Sequence, residues 1–351
     1  MKQPEIFMQC ALNVASPFLG APNPNPCVGA AGFDKDDQLI YAAAHTKQGE
    51  AHAEAKIIDF CRQQNCLDRL HTLAITLEPC NHHGLTPPCT DSILQSGIQN
   101  IIIGLHDPNP KASGGIERLE LNGRNVISSV MPHKAFHQMA DFMVKHLTGL
   151  PLVILKIAIN EHGDMIPDIG QTTFTNQNSL TLAHRLRKRS DSLLTGSGTI
   201  LTDMPQLTVR HVPDFVDKKR QLIIMDRRGR VNETILNAYN QRGFKTTIAV
   251  DIKKAIAEYK DSNALLIEAG PQISKEILTQ NLWDIAVLFK KNNDHSDTIY
   301  TGLNPEKPLL ESLNPFNIYD FLPSEPNVIN IATENISDSA DTLRRISSLC
   351  F

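Results

Sequence analysis

Two short runs hold residues able to bind a metal and move a proton: His52-Ala53-Glu54, and Pro79-Cys80 followed by Cys89. Thiolates and a neutral imidazole are good zinc ligands. Three protein ligands leave one position on a tetrahedral zinc open for water. Zinc lowers the pKa of such a water from about 15.7 to about 7. Glu54 is then available to take a proton and deliver it to a ring nitrogen and to departing ammonia. These are the parts of a zinc hydrolytic deaminase site. Two other readings compete. A closed structural zinc site would need a fourth ligand, which His82 or His83 could supply. Cys80 and Cys89 could also be ordinary buried thiols and His52 a surface histidine. The joint occurrence, with Glu54 two residues after the histidine, favours the catalytic reading.

The elements needed to position these residues are legible. Residues 52–60 (HAEAKIIDF) have helical periodicity, with Ala55, Ile57, Ile58 and Phe60 apolar. His52 and Glu54 would face different sides mid-helix, but at a helix start both can reach a metal over its end. Cys89 follows Thr86-Pro87-Pro88, and proline favours a helix start. A cysteine there has a lowered thiol pKa. Around them the pattern predicts helices at 5–16, 115–122 and 133–146, and strands at 28–33, 39–43, 72–77, 98–105 and 125–129. This order implies an α/β sandwich with the metal residues at a strand end and two helix starts.

Leu150-Pro151 marks a boundary, after which alternation resumes. Strands are predicted at 152–159, 192–195, 222–225, 246–250 and 264–268, and a helix at 180–189. The last fifty residues, rich in Asn, Pro and Ser, are left unassigned. A length of 351 residues suggests two domains. Composition is that of a globular protein, 41% apolar and 21% charged. A net charge of −4 gives no case for nucleic-acid or membrane partners. The chain has no long apolar run or signal-peptide pattern, and its odd count of seven cysteines fits a reducing compartment, so the expected location is the cytoplasm. A homo-oligomer is compatible with all of this.

PNPCVG (24–29), HTKQGEAHAE (45–54), LEPCNHHGLTPPCTD (77–91) and DPNP (107–110) closely resemble the deaminase half of the bifunctional deaminase–reductase family of riboflavin biosynthesis, the RibD type. The eight residues between Cys80 and Cys89 are part of that likeness, because cytidine and tRNA-adenosine deaminases usually place two there. The resemblance implies an N-terminal cytidine-deaminase-like α/β/α domain over 1–147 and a dihydrofolate-reductase-like α/β domain over 151–351. The implied chemistry is deamination of 2,5-diamino-6-(5-phosphoribosylamino)pyrimidin-4-one, then NADPH-dependent reduction of its ribosyl group to ribityl. By motif, His52, Cys80 and Cys89 hold Zn²⁺ and Glu54 shuttles protons. Asn25, His45, His82, Asp107 and Asn109 contact substrate, although Asn and Asp beside proline also serve as turn caps. Leu85 stands where the family usually has a basic residue.

In the second half, RLRKRSDSLLTGSGTILTDMPQLTVR (185–210) and EAGP (268–271) carry the resemblance. They imply NADPH contacts at Ala158, Phe174, Thr199, Asp203 and Gly270. They imply substrate contacts at Thr172, Arg187, Leu207, Arg210 and Glu268, the arginines suiting a phosphate. Residues 185–189 could also be a solvated basic face. Three departures bear on reduction. Asn160-Glu161-His162-Gly163 replaces Ser-Leu-Asp-Gly, Phe174 replaces a tryptophan, and Val287-Leu288-Phe289-Lys290-Lys291-Asn292 replaces a strand ending in Ala-Pro and a Gly-rich segment. Hydride transfer belongs to the cofactor and asks the protein mainly for orientation. Three functions therefore compete: a bifunctional enzyme, a deaminase with a decayed reductase domain, and a zinc-stabilised interaction module without activity.

Overall fold

The structure, a computed structural model, describes residues 3–82, 87–165, 175–259, 261–292, 294, 296–314 and 316–324. His83, Leu85, Thr172 and Phe174 lie outside them. The chain forms two compact units: the first runs to Met139 and regains Pro323 and Ser324, and the second is Ala140–Leu322.

The first unit runs α1 (Pro4–Ala15), β1 (Gly29–Phe33), β2 (Leu39–Ala44), α2 (Ala53–Gln63), β3 (Thr72–Leu77), α3 (Cys89–Ser96), β4 (Asn100–Leu105), α4 (Gly115–Leu121), β5 (Asn125–Ile127) and the start of α5 (Pro132–Thr148). Its sheet has the order β2-β1-β3-β4-β5. β1 is antiparallel to β2 and β3, whereas β3, β4 and β5 are parallel. Every residue of β1 and β3 is buried, as expected of strands covered on both faces. Ile57, Ile58 and Cys61 of α2, Ile93 of α3 and Leu119 of α4 pack on Leu73, Ile75, Ile101 and Ile103. That core fixes three helices over one face of β3 and β4. β5 is shorter than its sequence predicts because Ser129 leaves the extended region at φ 59°. α5 contains a non-helical residue, Met139, where the first unit ends and well before Leu150-Pro151.

The second unit runs β6 (Leu152–Ile159), α6 (Gln177–Arg189), β7 (Ser192–Gly196), α7 (Ser197–Asp203), β8 (Arg220–Met225), α8 (Glu233–Gln241), β9 (Phe244–Ala249), α9 (Ile252–Glu258), β10 (Ala264–Glu268), α10 (Pro271–Thr279), β11 (Ile285–Lys291), β12 (Asp297–Leu303) and α11 (Ile318–Phe321). The sheet order is β12-β11-β6-β10-β7-β8-β9, parallel except for β12. The C-terminal ends of β6, β10 and β7 therefore lie side by side, where open α/β sheets hold ligands. α8 and α9 escape a periodicity reading because their apolar faces are narrow. Their signals are caps: Asn232 accepts from Ile235 N and Asp251 from Lys254 N.

One close approach matters for the first site. A Cβ on Gly115, the first residue of α4, would lie 2.1 Å from the carbonyl oxygen of Pro79. Gly115→Ala must push α4 off the loop that carries Cys80. The expected cost is about 1–3 kcal/mol, read as a lower urea midpoint.

Candidate active site

β3 delivers the chain to Glu78-Pro79-Cys80, α2 begins beside it with His52 as N-cap residue, and α3 begins with Cys89 behind Pro88. The metal-ligating atoms of His52, Cys80 and Cys89 lie within 4.8 Å of one another. His52 Nδ1 is 3.2 Å from Cys89 Sγ and 3.7 Å from Cys80 Sγ. A tetrahedral zinc with bonds of about 2.1 Å to nitrogen and about 2.3 Å to sulfur requires nitrogen–sulfur edges of about 3.6 Å. The three residues thus fit the ion. They form the one such group among the described residues, and His82, exposed on the following bend, is not part of it.

Hydrogen bonds among the three groups divide their protons unevenly, and Cys89 does not show the lowering expected of a thiol at a helix start. Cys89 donates toward Cys80, whose thiol is brought down to about 4, so Cys80 is the thiolate. Bonding to Cys80 and burial push Cys89 up. The hydrogen bond to Cys80 lifts His52 to about 8. Glu54, in the first turn of α2, is 3% exposed, and its Oε2 has no hydrogen-bond partner among the described residues. Burial raises its pKa. An orphaned carboxylate oxygen beside three metal ligands is what a proton shuttle requires.

His45 is buried with its ring 5.2 Å from that of His52. Its Nδ1 faces the Ala51 carbonyl and its Nε2 faces the Asn25 amide, each at 3.3 Å. The carbonyl needs a donor, so the amide donates to Nε2. Burial lowers the His45 pKa, which keeps this neutral arrangement. Asp107 and Asn109 form consecutive turns, accepting from Asn109 N at 2.8 Å and from Lys111 N at 3.1 Å. Their turn-capping role is therefore real, and it coexists with a place at the end of β4.

The second unit holds a cleft of about 470 Å³. It brings together Ala158, Arg187, Thr199, Asp203, Leu207, Glu268 and Gly270 of the sequence-predicted set. Arg210 is not among the lining residues; its side chain is exposed and its backbone N donates to His184 Nδ1 at 2.8 Å. Leu207 holds φ 57°, an unfavourable region for a branched side chain that shapes the turn leading to Arg210. Gly198 presents bare backbone to open space, and α10 follows Gly270, an N-cap residue without a side-chain cap. Apolar Ala158, Pro205 and Leu207 complete walls that fit a phosphate-bearing cofactor.

Arg187 grips Glu268 with two bonds, Nε to Oε1 at 2.5 Å and Nη2 to Oε2 at 2.9 Å. Burial alone would raise Glu268, but Arg187 and Lys156 hold it down at about 2. Lys156 Nζ lies 3.7 Å from Glu268 Oε2, and burial lowers its own pKa. Lys156 was missed by motif reading; its signal is a lysine inside the apolar run of β6. At the end of β6, Asn160 Oδ1 accepts from His162 N and Asp164 N. The divergent 160–163 segment is thus a self-capped turn.

The first 105 residues match the cytidine and deoxycytidylate deaminase zinc-binding region, and residues 151–290 match the RibD C-terminal domain. The riboflavin biosynthesis protein RibD of Aquifex aeolicus is 30% identical over 309 residues, covering 81% of this chain and 85% of that protein. That of Bacillus amyloliquefaciens is 37% identical over 232 residues, 66% of this chain and 61% of that protein. The crystal structure of a diaminohydroxyphosphoribosylaminopyrimidine deaminase/5-amino-6-(5-phosphoribosylamino)uracil reductase from Thermotoga maritima superposes with a TM-score of 0.75 at 29% identity, covering 83% of this chain and 87% of that one. Acinetobacter baumannii RibD gives 0.71 at 28% identity, over 83% and 87%.

Burial, then Arg187, His211 and Arg210, push His184 down to about 3, well below the ordinary 6.5. A depressed folded pKa stabilises fully above the unfolded value and is lost as pH falls. The second unit should therefore weaken below about pH 6.5, by about 1.4 kcal/mol per pH unit from this group. In His184→Gln that component is absent, so the urea midpoints of variant and wild type should converge between about pH 7.5 and about pH 5.

Proposed function

The chain belongs to the RibD family, and from that premise we infer a bifunctional enzyme of riboflavin biosynthesis. It is a zinc-dependent deaminase of 2,5-diamino-6-(5-phosphoribosylamino)pyrimidin-4-one and an NADPH-dependent reductase of the product's ribosyl group. We assign deamination to residues 1–147 and reduction to 151–351, a division supported by the two family matches. The cytoplasm is the location we propose, on the use of cysteines as thiols and metal ligands. Among the described residues no helix is long and apolar enough to cross a membrane.

The observation that carries the deaminase assignment is the buried Glu54 carboxylate, with Oε2 unpartnered among the described residues, beside His52, Cys80 and Cys89. Zinc held by those three supplies water activation at neutral pH. Glu54, with its pKa raised by burial, accepts a proton at its free oxygen and returns it to the substrate ring and the leaving amine. We propose that Asn25, His45, His82, Asp107 and Asn109 orient the pyrimidine. The tautomer that Ala51 imposes leaves His45 Nε2 to accept from the Asn25 amide, which holds Asn25 in place.

NADPH in the second cleft supplies the hydride. We propose that Ala158, Phe174, Thr199, Asp203 and Gly270 seat it. Thr172, Arg187, Leu207, Arg210 and Glu268 are the proposed contacts to the phosphorylated sugar. The fork of Arg187 is occupied by Glu268, which leaves the exposed Arg210 as the better phosphate partner. Arg187 and Lys156 keep Glu268 ionised, as an acceptor for sugar hydroxyls.

Glu54→Gln keeps the side-chain shape but removes the base. Deamination should fall by about 10²–10⁴-fold, while zinc content and the reductase rate on deaminated substrate stay unchanged. Persisting deamination would remove Glu54 from the mechanism. An inert structural zinc module predicts no deamination in the parent chain either.

A further inference from the structure

Glu78 immediately precedes the Pro79-Cys80 pair and is nearly buried. No part of the deamination chemistry above uses it. Its two oxygens are nevertheless divided between two loops. Oε1 accepts from Gly114 N at 2.9 Å and Ile116 N at 3.1 Å, holding the start of α4. Oε2 accepts from Asp107 N at 3.1 Å, holding the turn that carries Asp107 and Asn109. The exposed His106 lies 3.9 Å from the same oxygen. The Glu78 backbone N also donates to the Leu105 carbonyl at 2.8 Å.

We propose that Glu78 is a positioning residue for deamination: its carboxylate sets the height of the Asp107–Asn109 turn relative to Cys80 and so the fit of the pyrimidine. The inference rests on the reading that this turn contacts substrate. Three converging N–H donors require an acceptor on both oxygens, which only the carboxylate provides. Neighbouring backbone and side-chain bonds fix the rest of the seat. Asn81 N donates to the Ala112 carbonyl at 3.0 Å, and Arg118 Nη1 donates to Asn81 Oδ1 at 2.8 Å. Arg118 Nη2 reaches Asp91 on α3 at 2.5 Å. Loss of the Oε2 acceptor therefore removes one tie at the start of the Asp107 turn, while α3, α4 and the metal loop keep their own.

Glu78→Gln separates the two functions of the carboxylate. The amide oxygen stays with the two donors of α4, and the amide NH₂ then confronts Asp107 N. KM for the pyrimidine should rise about tenfold, the scale of one hydrogen bond to a charged acceptor replaced by a facing donor. The deamination kcat should stay within about twofold, with zinc stoichiometry and reductase rate of the same chain unchanged. Hydrogen exchange of the Asp107 amide should accelerate, while Gly114 and Ile116 stay protected. An unchanged KM, or loss of zinc or kcat at constant KM, overturns the proposal. Asn109→Ala, assayed in parallel, tests the underlying reading. If it raises KM and Glu78→Gln does not, only the role of Glu78 fails; if it leaves KM unchanged, the turn is not a substrate contact and both fail. Hydrogen exchange on the wild-type chain supplies a test free of any folding defect: an unprotected Asp107 amide contradicts the proposal.

Discussion

The meeting of one imidazole and two sulfurs within 4.8 Å is the constraint on which the first unit is organised. The three ligands come from a helix cap, a loop after a central strand and a helix start. No single local segment could place them. Their approach depends on the buried β3, on α2 and α3 packed over one face of the sheet, and on a glycine where α4 meets Pro79. The start of α3 also points the Cys89 N–H at the Cys80 sulfur, 3.4 Å away, where it favours negative charge. The same packing removes water from Glu54 and raises its pKa. Burial, which would be a fault in a structural carboxylate, is here the source of its basicity.

The second unit solves a different electrostatic problem. Its cleft has a buried carboxylate, Glu268, which burial alone would neutralise. Arg187 and Lys156 reverse that, and Arg187 in doing so gives up its fork. A buried ion pair contributes little net stability, because desolvation offsets most of the Coulomb attraction. Its value is geometric: it fixes an ionised acceptor at the end of β10 between Lys156 of the adjacent parallel β6 and Arg187 of α6. His184 must stay neutral beside these cations, accepting from the Arg210 backbone, and thereby ties α6 to the loop that ends in Arg210.

Much of this was legible in the sequence, for identifiable reasons. His52, Glu54, Cys80 and Cys89 could be read because their chemistry is specific to residue type and their spacing places them at element ends. The central strands could be read because they are uniformly apolar. Ala158, Thr199 and Gly270 came only through motif resemblance, and the cleft does gather them. Other features were hidden because they depend on tertiary partners. Glu78 looks like a surface carboxylate until three backbone donors from distant positions are seen to converge on it. Lys156 looks like an interruption of an apolar strand until Glu268 is seen beside it. The departure at 160–163 suggested a lost function, yet Asn160 caps its own turn and keeps the strand end closed. Leu150-Pro151 is a local composition signal, whereas packing divides the chain at Met139, inside the helix that precedes it.

The central claim is that one chain performs two successive reactions on one phosphorylated intermediate. Product analysis on the purified full-length protein tests it most directly, with the diaminopyrimidine ribosyl phosphate and zinc supplied, first without and then with NADPH. Deaminated product alone in the first case, and ribityl product with matching NADPH consumption in the second, is the result expected. Deaminated product that accumulates unchanged in the presence of NADPH would contradict the account.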